Sequence, residues 1–170
     1  DRYWQGQLAI LRPLLLLLDY KDILRLNTLV QLFLMLWIAH LLSCHSLTHL
    51  LFPLALMFCS LTPIATGICL QYTPCFLIMA IGCVVLLRHT NIINKFNWLF
   101  FLSLGMATSY FDFLTYPLVT LGIPLILYLQ LETSSPSQRF FQITTCSLSW
   151  GIGYIGFWAE KWLFGSVILQ

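Results

Sequence analysis

Asp112 is the side chain with the clearest chemical potential, because it lies between two long apolar runs and no other acid occurs between Asp22 and Glu132. An ionised carboxylate in hydrocarbon costs several kcal/mol unless it meets water, a partner or a bundle interior. On a helical backbone Thr108, Ser109, Thr115 and Tyr116 lie three or four positions from it, on the same side. Together they would form the polar wall of a substrate cavity. The competing reading is an interfacial turn in which Asp112 caps the next helix through its free N–H groups, and Pro117 suits a helix start. The residue types leave both readings open.

A second group is basic and aromatic. Arg2, Tyr3 and Trp4, followed by Arg12-Pro13, precede the first long apolar run. Guanidinium groups bind phosphate oxygens, and Trp and Tyr settle at headgroup depth, so an anionic lipid carrier is a natural ligand for this segment. Its simpler role is an anchoring helix lying in the membrane interface.

Three further patterns carry less. His40, Cys44, His45 and His49 fall within ten residues, and His45 and His49 would share one helical face, but no carboxylate is near, so no metal site is assigned. Gly151-Ile152-Gly153-Tyr154-Ile155-Gly156 has the letters of a dinucleotide fingerprint without the strand and loop that it requires. Ser149, Gly153 and Gly156 are expected instead to line one side of a helix where a neighbouring backbone approaches closely. The cysteines at 44, 59, 69, 75, 83 and 146 contain no C-x-x-C and read as small core residues. Most Trp and Tyr residues fall near the ends of apolar runs, as in an aromatic belt, whereas Trp150 lies deep enough to need a partner for its indole N–H.

The elements that must position these residues follow from composition. The chain has 170 residues, is 59% hydrophobic and only 8% charged, and has a mean hydropathy of +0.87. Soluble domains carry about a quarter charged residues, so this composition indicates a membrane chain and excludes a disordered tail, a nucleic-acid binder and a secreted disulfide scaffold. At roughly 20 apolar residues per span, the expectation is an all-α polytopic bundle of about six spans behind an N-terminal interfacial helix. Residues 1–25 form the interfacial segment, ending in a polar hinge at Asp19-Tyr20-Lys21-Asp22 and Arg25, and 26–170 form the bundle.

Spans are expected over 26–42, 50–70, 75–87, 97–111, 118–131 and 140–158, with Gly122 and Pro124 interrupting the fifth. Polar loops are expected at 43–49, 88–95 and 132–138. The chain begins at Asp1 and stops after an apolar run, which reads as a piece of something longer. Counting every cation would make the N-terminal side cytoplasmic. Counting only loops between spans, where Arg88, Lys95 and Arg139 share one side, places the N-terminal segment outside.

Arg2-Tyr3-Trp4-Gln5-Gly6, Arg12-Pro13-Leu14-Leu15 and the hairpin from Ser109 to Leu125 (SYFDFLTYPLVTLGIPL) resemble an uncharacterised group of bacterial multi-pass membrane proteins. That group has RYWHG-like, RPLL-like and SFFDLLTxPLxTLGxPL-like segments, and Gln5 stands where its first segment has His. Its layout is similar to that of GT-C type membrane glycosyltransferases. The resemblance implies an envelope protein of the cell membrane, part of a transferase that uses a polyprenyl-phosphate-linked sugar. Arg2, Tyr3, Trp4 and Arg12 would then lie at the lipid headgroup and Asp112 in the cavity, with catalysis by an acidic loop ahead of Asp1. Two rivals are a transporter or flippase-like protein with a midplane site at Asp112 and the broken helix at 118–124, and a membrane subunit without a ligand. The cofactor cannot be read from these residues.

Overall fold

The structure, a computed structural model, describes residues 6–60, 70–111, 116–132 and 135–168, with side chains between 11 and 163 inside those limits. Among the described residues the chain is all-α: eight helices, one 3-10 turn and no strand. They are α1 (Gly6–Leu17), α2 (Tyr20–Cys44), the 3-10 turn (Thr48–Leu50), α3 (Leu51–Ser60), α4 (Thr73–Arg88), α5 (Thr90–Lys95), α6 (Asn97–Phe111), α7 (Leu118–Leu131) and α8 (Pro136–Ile168).

Four expectations are corrected. The polar hinge at 19–25 shrinks to a break at Leu18-Asp19. Asp19 is extended (φ −68°, ψ 151°) and its carbonyl accepts from the N–H groups of Asp22 and Ile23, so the helix starts at once. Lys21, Asp22 and Arg25 lie within α2, where Asp22 suits the positive end of the helix and pairs with Arg25 at 3.1 Å. The loop at 88–95 contains α5, anchored by buried Ile93 and by the Thr90 hydroxyl donating to the Leu86 carbonyl at 2.9 Å. The fifth apolar run is unbroken. Pro124 sits inside α7 without ending it, leaving the Thr120 carbonyl without its i+4 donor. The last helix passes Trp158 and runs to Ile168. The boundaries at 97–111 and 118–131 coincide with α6 and α7. The third apolar run starts two residues early because Pro74 occupies the first turn of α4, and residues 61–69 of the second lie outside the described residues.

Side-chain bonds fix how the helices run. Asn27 near the start of α2 donates to the Thr73 hydroxyl at the start of α4 at 3.0 Å, and His45 after α2 lies 2.7 Å from the Leu87 carbonyl at the end of α4. These two helices are therefore parallel. Asn97, which opens α6, donates to the Tyr128 hydroxyl late in α7 at 3.0 Å, so α6 and α7 are antiparallel. α8 runs parallel to α6, since Gly105 meets Trp150 and Ser109 meets Lys161. The starts of α2, α4 and α7 thus gather at one end, here termed the α1 end, and the starts of α6 and α8 at the opposite end. The direction therefore alternates through α4, α6, α7 and α8.

The core is made by Ile38, Leu42, Phe76, Met79, Leu86, Leu87, Phe101, Tyr128 and Trp150, all buried. The distribution of polarity is unusual. In α2 Gln31 is 1% exposed, whereas Leu36, on the outer side of the same helix, is 71% exposed. Asn27, Thr73, Thr108, Ser109 and Thr120 are also buried, while Leu29, Phe33, Phe140, Leu148, Ile152 and Ile155 face outward. One helix among the described residues, Tyr20–Cys44, is long and apolar enough to cross a membrane; Thr73–Arg88 and Leu118–Leu131 are apolar but shorter. At about 1.5 Å per residue, α2 is roughly 37 Å long and α4, α6 and α7 are between about 21 and 24 Å.

Candidate functional site

The junction of α6, α7 and α8 at the α1 end is where the expected polar wall falls. α6 and α8 approach so closely that a Cβ at Gly105 would overlap the Trp150 carbonyl, and one at Gly153 would overlap the carbonyl of Leu102. Gly153 therefore has the role expected from its spacing. Gly156 does not, since nothing lies within 4 Å of its added Cβ. The six-residue glycine pattern sits wholly within α8, with no strand before it.

That close approach allows one hydroxyl pair to tie three helices together. Trp150 donates its indole N–H to the Thr120 hydroxyl at 3.2 Å, which supplies the expected partner. Thr120 and Thr108 stand 2.8 Å apart through their hydroxyl oxygens. Thr108 also reaches the Leu104 carbonyl at 2.6 Å and Thr120 the Pro117 carbonyl at 2.7 Å. Two hydroxyl protons serve three contacts, so the acceptors compete for them and the network is closed to a further ligand. Thr108 and Thr120 are fully buried, and their chemistry is structural: they lock α6 and α7 against α8.

Nearer the surface, Lys161 reaches back from α8 and donates to the carbonyls of Ser109 and Tyr110, the latter at 3.2 Å. Those carbonyls lie in the last described turn of α6. The ammonium also lies 5.8 Å from the Tyr110 ring centre and 5.9 Å from that of Phe157. A cation here offsets the negative end of α6. Beneath it the Ser109 hydroxyl is buried and has no hydrogen-bond partner among the described residues. Tyr116 donates to the Tyr72 carbonyl at 3.0 Å, and the two rings stack 5.7 Å apart.

Of the residues singled out in the sequence, Thr108, Ser109 and Tyr116 are thus brought to one junction, whereas Asp112 and Thr115 lie outside the described residues. Arg2, Tyr3 and Trp4 also lie outside them. Arg12 is exposed on α1, beside exposed Leu15, Leu16 and Leu17. His45 and His49 do not share a helical face: α2 ends at Cys44, His45 turns to the Leu87 carbonyl, and His49 falls in the 3-10 turn. Among the described residues no three of His, Cys, Asp and Glu gather to hold a metal ion. Cys75, Cys83 and Cys146 are buried as small core residues, whereas Cys44 and Cys59 are exposed. Lys161 had not been marked out by the sequence reading. It stands beside Glu160 near the end of a long apolar run, where a pair of charges reads as the edge of a span.

No family model matches the chain, and neither a curated protein nor a solved structure matches it.

Proposed function

We propose that this chain is an integral membrane protein of the bacterial envelope, a multi-pass bundle of about six spans that takes part in the transfer of a polyprenyl-phosphate-linked sugar. The observation that carries the membrane part is the distribution of polarity. Large apolar side chains such as Leu36 and Ile152 face outward while Gln31, Thr108 and Thr120 are buried and paired. In water that arrangement would leave extensive apolar surface exposed. In a bilayer the outward leucines meet lipid tails, and the inward amides and hydroxyls join helices by hydrogen bonds. Helices of about 21 to 24 Å are short against roughly 30 Å of hydrocarbon, a mismatch that local thinning of the bilayer accommodates.

Orientation follows from the ends. Arg88, Lys95 and Arg139 lie at the end opposite α1, and Arg12, Lys21, Arg25 and Lys161 at the α1 end. Arg12, Lys21 and Arg25 belong to the interfacial segment and not to a connection between spans, so the end opposite α1 is taken as the cytoplasmic one and α1 as lying at the outer interface. In this reading Arg12, with Arg2, Tyr3 and Trp4, meets the phosphate of a lipid carrier, supported by the resemblance of those segments and of the 109–125 hairpin. Asp112, in the stretch that joins α6 to α7, is the acid assigned to the sugar. The transporter reading loses one of its two supports, since α7 is continuous through Pro124.

The test is photolabelling. A photoreactive polyprenyl-phosphate analogue in vesicles containing the inserted chain is expected to label α1, and Arg12→Ala to reduce labelling several-fold. A chain that resists carbonate extraction yet takes no label on α1 rejects the transferase reading and leaves the membrane reading standing.

A further inference from the structure

Away from the α1 end, the helices open around a pocket of about 810 Å³, lined by Asn94, Asn97, Glu132, Gln138, Phe141 and Gln142 with Leu131, Ser137 and Thr145 at its edges. Sites for small molecules span roughly 300–1,000 Å³ and are mostly apolar. This one is lined mainly by amides, hydroxyls and a carboxylate, which is the wrong lining for a lipid tail.

The polar groups are held rather than loose. Glu132, just past the end of α7, accepts from the Gln142 amide through Oε2 and also meets the Tyr128 hydroxyl, and a carboxylate with about four acceptor sites has lone pairs left for a ligand. Gln138 receives the backbone N–H and the hydroxyl of Ser135 on its carbonyl oxygen, at 3.0 and 3.1 Å, so its NH2 remains the donor. Asn97 is fixed by Tyr128 and by the N–H of Trp98. Phe141 offers an aromatic ring that is 70% exposed.

We propose that this pocket binds a neutral polyhydroxylated group, a sugar or cyclitol. A free anion is disfavoured because Glu132 already supplies the negative charge that the starts of α6 and α8 attract, and no lysine or arginine lines the pocket. An ammonium ion donates hydrogen bonds and cannot accept them, so it leaves the Gln138 NH2 unanswered. A hydroxyl both donates and accepts, which suits a carboxylate and an amide NH2 that line one pocket. The Phe141 ring would cover the C–H face of a saccharide ring. The pocket is at the end opposite Arg12, so the proposal stands whether or not the chain transfers a sugar.

The experiment uses the full chain in nanodiscs free of glycoside detergent, with N-acetylglucosamine, myo-inositol, ethanolamine and inorganic phosphate as separate probes in saturation-transfer NMR. The two polyols are expected to bind and to compete with each other, and Glu132→Gln and the exposed Gln138→Ala each to weaken them about tenfold or more. Arg12→Ala leaves them unchanged. Preferential binding of ethanolamine or phosphate overturns the proposal, as does the absence of polyol binding to a chain of native helicity, or binding that neither variant weakens.

Discussion

The two ends of the bundle solve opposite problems with similar residue types. At the α1 end, threonine hydroxyls, an indole N–H and an ammonium are spent on one another and on helix carbonyls, and the space between α6, α7 and α8 is closed. At the opposite end, amides, two hydroxyls and a carboxylate stand around open volume. Burial rather than composition decides which polar side chains hold the fold and which are available to a ligand. A buried hydroxyl without a partner costs about 1–3 kcal/mol, so the closed end pairs its polar groups, the Ser109 hydroxyl being the exception among the described residues, whereas a solvated pocket can keep them in reserve.

If this contrast is correct, the α1 end should be the brittle one. Gly153→Leu forces a side chain into the carbonyl of Leu102 and should cost at least about 3 kcal/mol, enough to abolish the folded bundle, as read by thermal unfolding in detergent or by proteolysis. Gly156→Ala, with open space around it, should cost nothing and stabilise the helix by about 0.5–1 kcal/mol. A comparable loss at both glycines would break the comparison.

A smaller effect is expected from Thr120→Val. It keeps the shape but removes the acceptor of the Trp150 N–H and the partner of Thr108, and should cost about 1–3 kcal/mol with a shift in Trp150 fluorescence. Thr108→Val combined with it should cost less than the sum of the two, because both act through one network. Strict additivity would mean that the 2.8 Å contact between the hydroxyls contributes nothing.

Lys161→Met retains the aliphatic stem and removes the donor to the carbonyls of Ser109 and Tyr110. A loss of about 1 kcal/mol is expected, with faster amide exchange confined to the last turn of α6. The smallest effect belongs to the open end: Gln138→Ala should change stability by less than about 0.5 kcal/mol while it weakens polyol binding. A stability loss there as large as that of Thr120→Val would show that the pocket is part of the core.

Much of the architecture could be read from local residue order. α6 and α7 begin and end where expected because Asn97, Pro117 and Glu132 punctuate apolar runs, and such punctuation acts within a few residues. The depth of Trp150 followed from its place in a long run. Pairings across the bundle were hidden. Nothing in the order of residues ties Thr120 to Trp150, thirty positions on, or Lys161 to the end of α6, because these meetings depend on which helices are parallel. The pocket was hidden for a different reason: its residues come from two ordinary polar loops, 88–95 and 132–138, and from the ends of the apolar runs beside them. Asp112 stands out as a lone acid among apolar residues, whereas Glu132 sits in a loop where acids are common.

The central claim is that lipid is the solvent around α2 and α8. Spin labels placed singly at Phe33, Leu36 and Ile152, on a chain freed of its native cysteines and reconstituted in nanodiscs, report the surroundings of each position by collision with molecular oxygen or with a water-soluble nickel chelate. The account predicts high accessibility to oxygen and low accessibility to nickel at all three, with the reverse at Gln138. Nickel accessibility at Leu36 and Ile152 equal to that at Gln138 would contradict it.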